Sequence, residues 1–238
     1  MTVDSFLSEF EDVKIPQLGV RLPEFQVEEK YKKELNLKSD ATNFDFLREL
    51  CKRGFNKLKL KKGSKEYEEY GARVKYELGM FKDLLFTDYI LLVWDVMNFC
   101  QEKDIAVGMG RGSGVSSLCL FLIGVTKVDP IKSGLYFERF ISKIRAKKTI
   151  VDGVTFLQGD LIPDCDLDLS YYRRNEVIEY VNNKFKGKTC KICTFNTLSP
   201  KLLIKECGKI IADKSEEEMT YVSGMIPKLH GVVEDLDK

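Results

Sequence analysis

Two stretches carry residue types that can do chemistry. The first, Pro163-Asp164-Cys165-Asp166-Leu167-Asp168-Leu169, alternates acidic and apolar residues. In an extended strand, positions two apart share a face. Asp164, Asp166 and Asp168 therefore line one side, and Cys165, Leu167 and Leu169 point into the core. Neighbouring Cα atoms on one face lie roughly 6.6–6.8 Å apart. Three carboxylates in a row repel one another, and cations among them relieve the repulsion; hard oxygen ligands suit Mg²⁺. Two converging carboxylates can share a metal pair about 3.5–4 Å apart, the arrangement used for in-line phosphoryl displacement. A solvated edge strand that carries acids by chance is the plain alternative.

The second stretch is Gly108-Met109-Gly110-Arg111-Gly112-Ser113-Gly114. Glycine lets backbone N–H groups approach an anion closely, and a following helix N-terminus carries partial positive charge. Arg111 and Ser113 add donors suited to phosphate oxygens. The spacing is not a dinucleotide fingerprint, because Ser113 stands where that pattern needs Gly, and it is not a Walker loop, because no Gly-Lys-Ser/Thr follows. A tight strand-to-helix turn without a ligand is the structural alternative. A triphosphate cradle and a metal-binding acid row in one chain point to a nucleotidyl transferase.

The elements that must position these stretches are legible from periodicity. The spacing predicts helices over Asp45 to Lys59 and Glu66 to Leu85, then a helix over Asp88 to Lys103 capped by Thr87 and apolar on most sides. Residues 1–40, with Pro16 and Pro23, read as an extended, partly strand-like lead-in. A strand at Ile105 to Val107 is expected to enter the glycine loop, and a helix at Val115 to Ile123 to leave it. Two β-runs flank Asp152-Gly153, a hairpin signal. A strand over Asp164 to Leu169, a helix over Arg173 to Phe185, a strand over Lys191 to Phe195 and a helix from about Thr197 to Ala212 follow. Ser215 and Glu218 form a capping box for a last helix. Strands alternating with helices predict an α/β or α+β fold.

Composition narrows the function classes. In 238 residues, 38 Lys+Arg face 37 Asp+Glu, a net charge of +1, which excludes a globally basic nucleic-acid protein but not a locally basic face. Val115 to Val125, the longest apolar run, is short of the ~18 residues that cross a bilayer, and the richer segment Leu84 to Cys100 carries Asp88 and Asp95. The acidic start is no secretory signal peptide. Seven scattered cysteines read as reduced thiols of a cytoplasmic protein. Cys190 and Cys193 have metal-ligand spacing without a second pair. His230 is the only histidine and has no acyl-transfer partner. The run Lys57 to Lys65 reads as a solvated connector, with DNA-backbone contact as the sharper alternative.

Several motifs occur together in order: Gly110-Arg111-Gly112-Ser113-Gly114, Asp129-Pro130, Leu135-Tyr136-Phe137-Glu138-Arg139-Phe140, and the acid row. With Asp88-Tyr89, Val93-Trp94-Asp95, the run Arg174 to Val181 and Thr194 to Leu198, they resemble the C-family replicative DNA polymerases, the family of bacterial DNA polymerase III alpha subunits, over about Val13 to Pro227. The resemblance implies a polymerase-beta-like nucleotidyltransferase palm with a mixed sheet and flanking helices over 1–196, and the beginning of a helical thumb over 197–238. It implies that Asp164 and Asp166 hold two Mg²⁺ ions, with Asp168 a less certain third. Gly112 and Ser113 would contact the incoming triphosphate, and Arg111 and Arg139 would supply positive charge. The implied partners are a dNTP, primer–template DNA and the remainder of the polymerase, in a bacterial or phage-infected cytoplasm, with no membrane. The implied reaction is attack of a primer 3′-hydroxyl on the α-phosphate.

Family members are several times longer, and their third catalytic aspartate, fingers and duplex-binding modules lie beyond the matching region. The chain alone is therefore expected to lack a complete active site. The stretch at about 141–162 is longer than usual and reads as an insertion beside the site, with Lys143, Arg145, Lys147 and Lys148 facing template, primer, triphosphate or solvent. One subunit of a split polymerase, and a non-catalytic nucleotide- or DNA-binding module, are the alternative readings.

Overall fold

Most of the apolar surface is covered by helices packed on helices. The computed structural model describes residues 21–142, 148–151, 154–157, 163–191, 198–226, 228–229 and 232–233. They divide between two compact units, Met1–Gly187 and Lys188–Lys238.

In the first unit, a short helix α1 (Glu29–Glu34) follows an extended stretch, so the lead-in is not strand-like throughout. Helix α2 (Asn43–Lys57) starts at a capping box: Thr42 Oγ1 accepts from the Asp45 N–H at 3.1 Å, and Asp45 Oδ2 accepts from the Thr42 N–H at 3.2 Å. Ser64 caps α3 (Lys65–Asp83) through the Tyr67 N–H. Helix α4 (Thr87–Glu102) begins one residue earlier than its sequence signal. Thr87 is its first, buried residue rather than its cap, because the chain turns into the helix already helical at Phe86.

Helix α4 buries Ile90, Leu91, Val93, Trp94, Val96, Met97 and Cys100, as its nearly all-round apolar pattern requires. Around it pack Phe46, Leu47 and Cys51 of α2, Tyr70, Met80 and Phe81 of α3, and Leu118 and Leu120 of the short helix α5 (Leu118–Leu122). Each large apolar side chain removed from water this way contributes about 1.5–3 kcal/mol. Helix α6 (Arg174–Lys184) joins α4 through stacked Phe99 and Tyr180 rings, 3.9 Å apart. Beneath them Asp95, 1% exposed, accepts from Lys184 Nζ at 2.6 Å and from the Tyr180 hydroxyl at 2.8 Å.

The mixed sheet expected from alternating strands and helices is not present among the described residues. The ladders there are two isolated antiparallel hairpins, β1 (Lys148–Val151) with β2 (Val154–Leu157), and β3 (Lys228–Leu229) with β4 (Val232–Val233). The first hairpin is the one its Asp-Gly signal predicts; the turn itself lies outside the described residues. Ile105 to Val107 and Asp164 to Leu169 form no strands and meet only at one antiparallel bridge, Val107 to Leu169. The cause is local. A ladder needs a run of backbone on both sides, and the glycine loop turns away after Gly108, with positive φ at Gly110 and Gly112. The α/β palm with a mixed sheet is therefore corrected to a helical core carrying a bridged loop and acid row. The strand expected over Lys191 to Phe195 lies outside the described residues beyond Lys191.

The second unit holds α7 (Pro200–Ile210) packed on α8 (Glu216–Gly224). The Ser215 and Glu218 capping box predicted for α8 is formed in both directions at 3.1 Å. Lys209 Nζ reaches Glu216 at 2.8 Å across the connection.

Candidate active site

The end of α4 launches the glycine loop. Arg173 donates to the Lys103 and Asp104 carbonyls at 2.8 and 3.1 Å, and its guanidinium also pairs with Glu176 at 2.7 and 2.8 Å. The start of α6 is thereby tied to the end of α4. Between these anchors the loop and the acid row run antiparallel. The Ser170 N–H donates to the Ala106 carbonyl at 2.9 Å, and the Gly108 N–H to the Asp168 carbonyl at 3.0 Å.

Glycine is what lets the two stretches close up. A Cβ on Gly108 would stand 2.7 Å from Asp168 Cβ, and one on Gly112 would stand 2.5 Å from Asp166 Oδ2. Gly112 also has φ 61° and ψ −151°, a region that side chains essentially exclude. Gly114 is buried, and a Cβ there would touch Cys165 Sγ at 3.5 Å. Along the loop, then, Gly108, Gly112 and Gly114 face Asp168, Asp166 and Cys165, while Gly110 faces Thr126 and Val115. Arg111 is largely exposed, and its Nη1 lies 3.4 Å from Asp168 Oδ1. Ser113 is half-buried at the head of the 3₁₀ turn Ser113–Ser116.

The acid row keeps its period of two without a sheet. Asp164, Asp166 and Asp168 are exposed, while Cys165, Leu167 and Leu169 are partly buried against the helical core. Burial, with Asp166 nearby, pushes the Cys165 thiol up to about 12. Tyr89 of α4 was not marked by its sequence as a site residue. Burial raises its phenol, the charges of Cys165, Asp164 and Asp166 add to the rise, and a backbone hydrogen bond with Cys165 opposes it. The tyrosine thus supports the row from the core side. Its apolar helical register and its place in the Asp88-Tyr89 motif were legible, but not this position beside the row.

Arg139 closes the 3₁₀ turn Phe137–Arg139, which packs against the Ser113–Ser116 turn. Phe140 reaches to 3.9 Å from a Cβ placed on Gly114. Arg139 is exposed and has no ion-pair partner among the described residues. The structure thus brings Arg111 and Gly112 against the acid row, with Ser113 next in the loop, and packs the Arg139 turn against the turn that Ser113 begins. Lys143, Arg145 and Lys147, the Lys148 side chain, Cys193 and His230 lie outside the described residues. Cys190 is exposed and free.

One expected anion site is already filled. The N–H groups of Leu118 and Cys119, at the start of α5, both donate to the buried Glu77 carboxylate at 2.9 Å. A phosphate at this end of the site must therefore be held by the loop itself and its side chains.

Among the described residues, no three His, Cys, Asp or Glu side chains converge as a metal-ligand set. Asp164 and Asp166 have no ion-pair or hydrogen-bond partner there, whereas Asp168 is engaged by Arg111. Two free, exposed carboxylates on one face fit Mg²⁺, which characteristically takes one or two carboxylates and completes its shell with water and substrate phosphates.

The family model of the bacterial DNA polymerase III alpha NTPase domain matches residues 45–237. The DNA polymerase III subunit alpha of Bacillus subtilis (strain 168) is 35% identical over 192 residues, covering 80% of this chain and 16% of the relative. That of Treponema pallidum (strain Nichols) is 32% identical over 217 residues, covering 91% of the chain and 16% of the relative. That of Mycoplasma genitalium is 30% identical over 220 residues, covering 92% and 23% respectively. The chain spans between about a sixth and a quarter of the length of these curated relatives.

Proposed function

Because the chain belongs to the family of the bacterial DNA polymerase III alpha NTPase domain, we propose that it is the palm portion of a DNA-directed DNA polymerase. In this reading it carries part of the site that transfers a nucleotide from a dNTP to a primer 3′-hydroxyl on a DNA template. Residues 1–196 form the palm and 197–238 begin the thumb. The observation that carries the reading is the fit of Gly112 against Asp166, which leaves room for no side chain between loop and carboxylate.

Asp164 and Asp166 would hold two Mg²⁺ ions, which when bound would supply positive charge to offset that of the triphosphate. The chain's own groups do the rest. The Gly112 and Ser113 backbone and the Ser113 hydroxyl bind the triphosphate. Arg111 and Arg139 balance its charge, and the loop holds the α-phosphate within reach of the acid row. The primer 3′-hydroxyl gives up its proton to solvent water as its oxygen bonds to the α-phosphorus, the bond from the α-phosphorus to the bridging oxygen breaks, and pyrophosphate departs with that electron pair. Asp168 serves mainly as the partner of Arg111.

The remainder of the polymerase, in the same or a separate chain, supplies the other contacts to primer and template. Calorimetric titration of this chain with Mg²⁺ and dATP tests the binding half. We expect Asp164→Asn and Asp166→Asn each to weaken binding about tenfold or more at an unchanged melting temperature. Equal binding by both variants overturns the assignment. A binding module without chemistry is favoured by one observation, the absence of a third converging ligand among the described residues. Full primer extension by the completed assembly after both substitutions would decide for it.

A further inference from the structure

Helix α3 presents Arg73, Tyr76 and Glu77 on one face, at helical spacing. All three reach out of the helix to the segments that carry the proposed triphosphate contacts. Glu77 is fully buried and accepts four hydrogen bonds: from Arg73 Nε at 2.7 Å, Ser117 Oγ at 2.7 Å, and the Leu118 and Cys119 N–H groups at 2.9 Å. Arg73 then forks outward. Its Nη2 donates to the Ser116 carbonyl at 3.0 Å and to the Leu135 carbonyl at 3.2 Å. Its guanidinium also lies 5.8 Å from the centroid of the Phe137 ring. Tyr76 packs edge-on to that ring and donates to Glu138 at 3.0 Å.

Ser116 ends the turn that begins at Ser113, and Leu135 precedes the turn that ends at Arg139. One side chain therefore grips the backbone just after the glycine loop and just before the Arg139 turn. We propose that the Arg73–Glu77 pair positions the triphosphate-binding groups, holding Ser113 and Arg139 in one register against the acid row. This rests on the triphosphate reading above. Neither residue touches substrate. Both act through the carbonyl and N–H groups they fix.

The double variant Arg73→Met with Glu77→Met, in the full 238-residue chain, removes both charges and leaves neither unpaired. It also leaves the buried Ser117 hydroxyl and the Leu118 and Cys119 N–H groups without their acceptor, so its melting temperature should fall. What separates positioning from folding is the pattern of amide hydrogen exchange: we expect it to speed up about tenfold over 108–116 and 135–139, with protection of α4 unchanged. Mg²⁺–dATP affinity falls about tenfold or more, because a displacement of about 1 Å is enough to lose productive geometry. If exchange over both segments is unaltered, the positioning role is wrong. If the parent chain binds no Mg²⁺–dATP, the triphosphate reading fails while the exchange result still decides the brace. Should the double variant not fold, Arg73→Lys keeps the charge beside Glu77 but loses the planar fork. The same local rise in exchange is expected there, and its absence overturns the proposal.

Discussion

Gly112 and Asp166 occupy the same small volume: a methyl group on Gly112 would sit 2.5 Å from the Asp166 carboxylate oxygen. Two separate penalties follow for Gly112→Ala. The backbone must leave a region that costs a side chain about 1–3 kcal/mol, and Asp166 must rotate away. The chain can accommodate the second by swinging an exposed carboxylate, so the fold survives while the site does not. The expected result is a modest fall in melting temperature and loss of detectable Mg²⁺–dATP binding by calorimetry. A variant that binds like the parent would show that the closeness of loop and acid row has no functional weight.

Arg111 and Asp168 make a long, exposed ion pair, 68% and 44% accessible. Such pairs contribute about 0–1 kcal/mol, so Asp168→Asn should leave the melting temperature nearly unchanged. Its effect on binding separates two roles. If Asp168 is the partner of Arg111, its neutralisation frees a cation for phosphate, and Mg²⁺–dATP affinity should hold or rise. If it is a metal ligand, affinity should fall as far as in Asp166→Asn. We expect the first outcome, measured by titration at low ionic strength, where exposed charges are least screened.

The facing of the acid row was more legible than the fold around it. Acid–apolar alternation over 163–169 correctly placed the acids outward and Cys165, Leu167 and Leu169 inward. Yet any extended segment lying on a helical core shows that alternation, so it could not reveal that Asp164 to Leu169 has one bridge instead of a ladder. Helices α2, α3 and α4 were visible because their apolar registers are long and free of proline. The Val115 to Ile123 helix was not resolved correctly. Its apolar run hides a break at Ser117, where a 3₁₀ turn gives way to a new helix with its own cap, Ser117 Oγ accepting from Leu120 N–H. The Arg73–Glu77 brace was invisible for another reason. Its i,i+4 spacing is that of an ordinary surface pair, and only tertiary packing shows that Glu77 is buried.

Lys184 links the buried Asp95 to the more exposed Glu28, at 2.6 and 2.8 Å. Burial alone lowers the Lys184 ammonium, but hydrogen bonds to Asp95, Glu28 and Tyr180 outweigh it and raise it overall. Glu28 is held below the ordinary glutamate range by the Lys184 hydrogen bond, against a smaller opposing effect of burial. The raised lysine contributes stability that is present below its unfolded pKa of about 10.4 and lost as pH rises beyond it. The depressed Glu28 contributes above about pH 4.3 and is lost as pH falls through its lower folded value. Lys184→Met leaves Asp95 buried beside Tyr180 alone and should destabilise the chain by about 3 kcal/mol at neutral pH. In urea unfolding, that deficit should be flat across neutral pH and shrink below about pH 4 and above about pH 10.5. A deficit independent of pH would mean that lost packing, not charge, is responsible.

Gly54 of α2 sets how closely the glycine-loop support can approach the core. A Cβ there would lie 2.0 Å from the Leu122 carbonyl oxygen and 2.7 Å from its carbon, both backbone atoms at the end of α5. Neither can swing aside as a side chain can, so Gly54→Ala must push α2 and α5 apart. Overpacking of this kind costs about 1–3 kcal/mol and occasionally more, and here it loosens Leu118 and Leu120, both fully buried. The helix so displaced is the one whose first N–H groups bind Glu77, and its movement is therefore transmitted to Ser116 and the loop. The expected outcome is a lower urea midpoint together with faster amide exchange over 108–122, a larger local effect than Gly71→Ala produces. Gly71 is the natural control, since a Cβ there meets nothing within 4 Å and alanine is the better helix former by about 1 kcal/mol. Gly71→Ala should therefore be neutral or stabilising. If the two variants unfold alike, close helix packing at Gly54 does not set the position of α5.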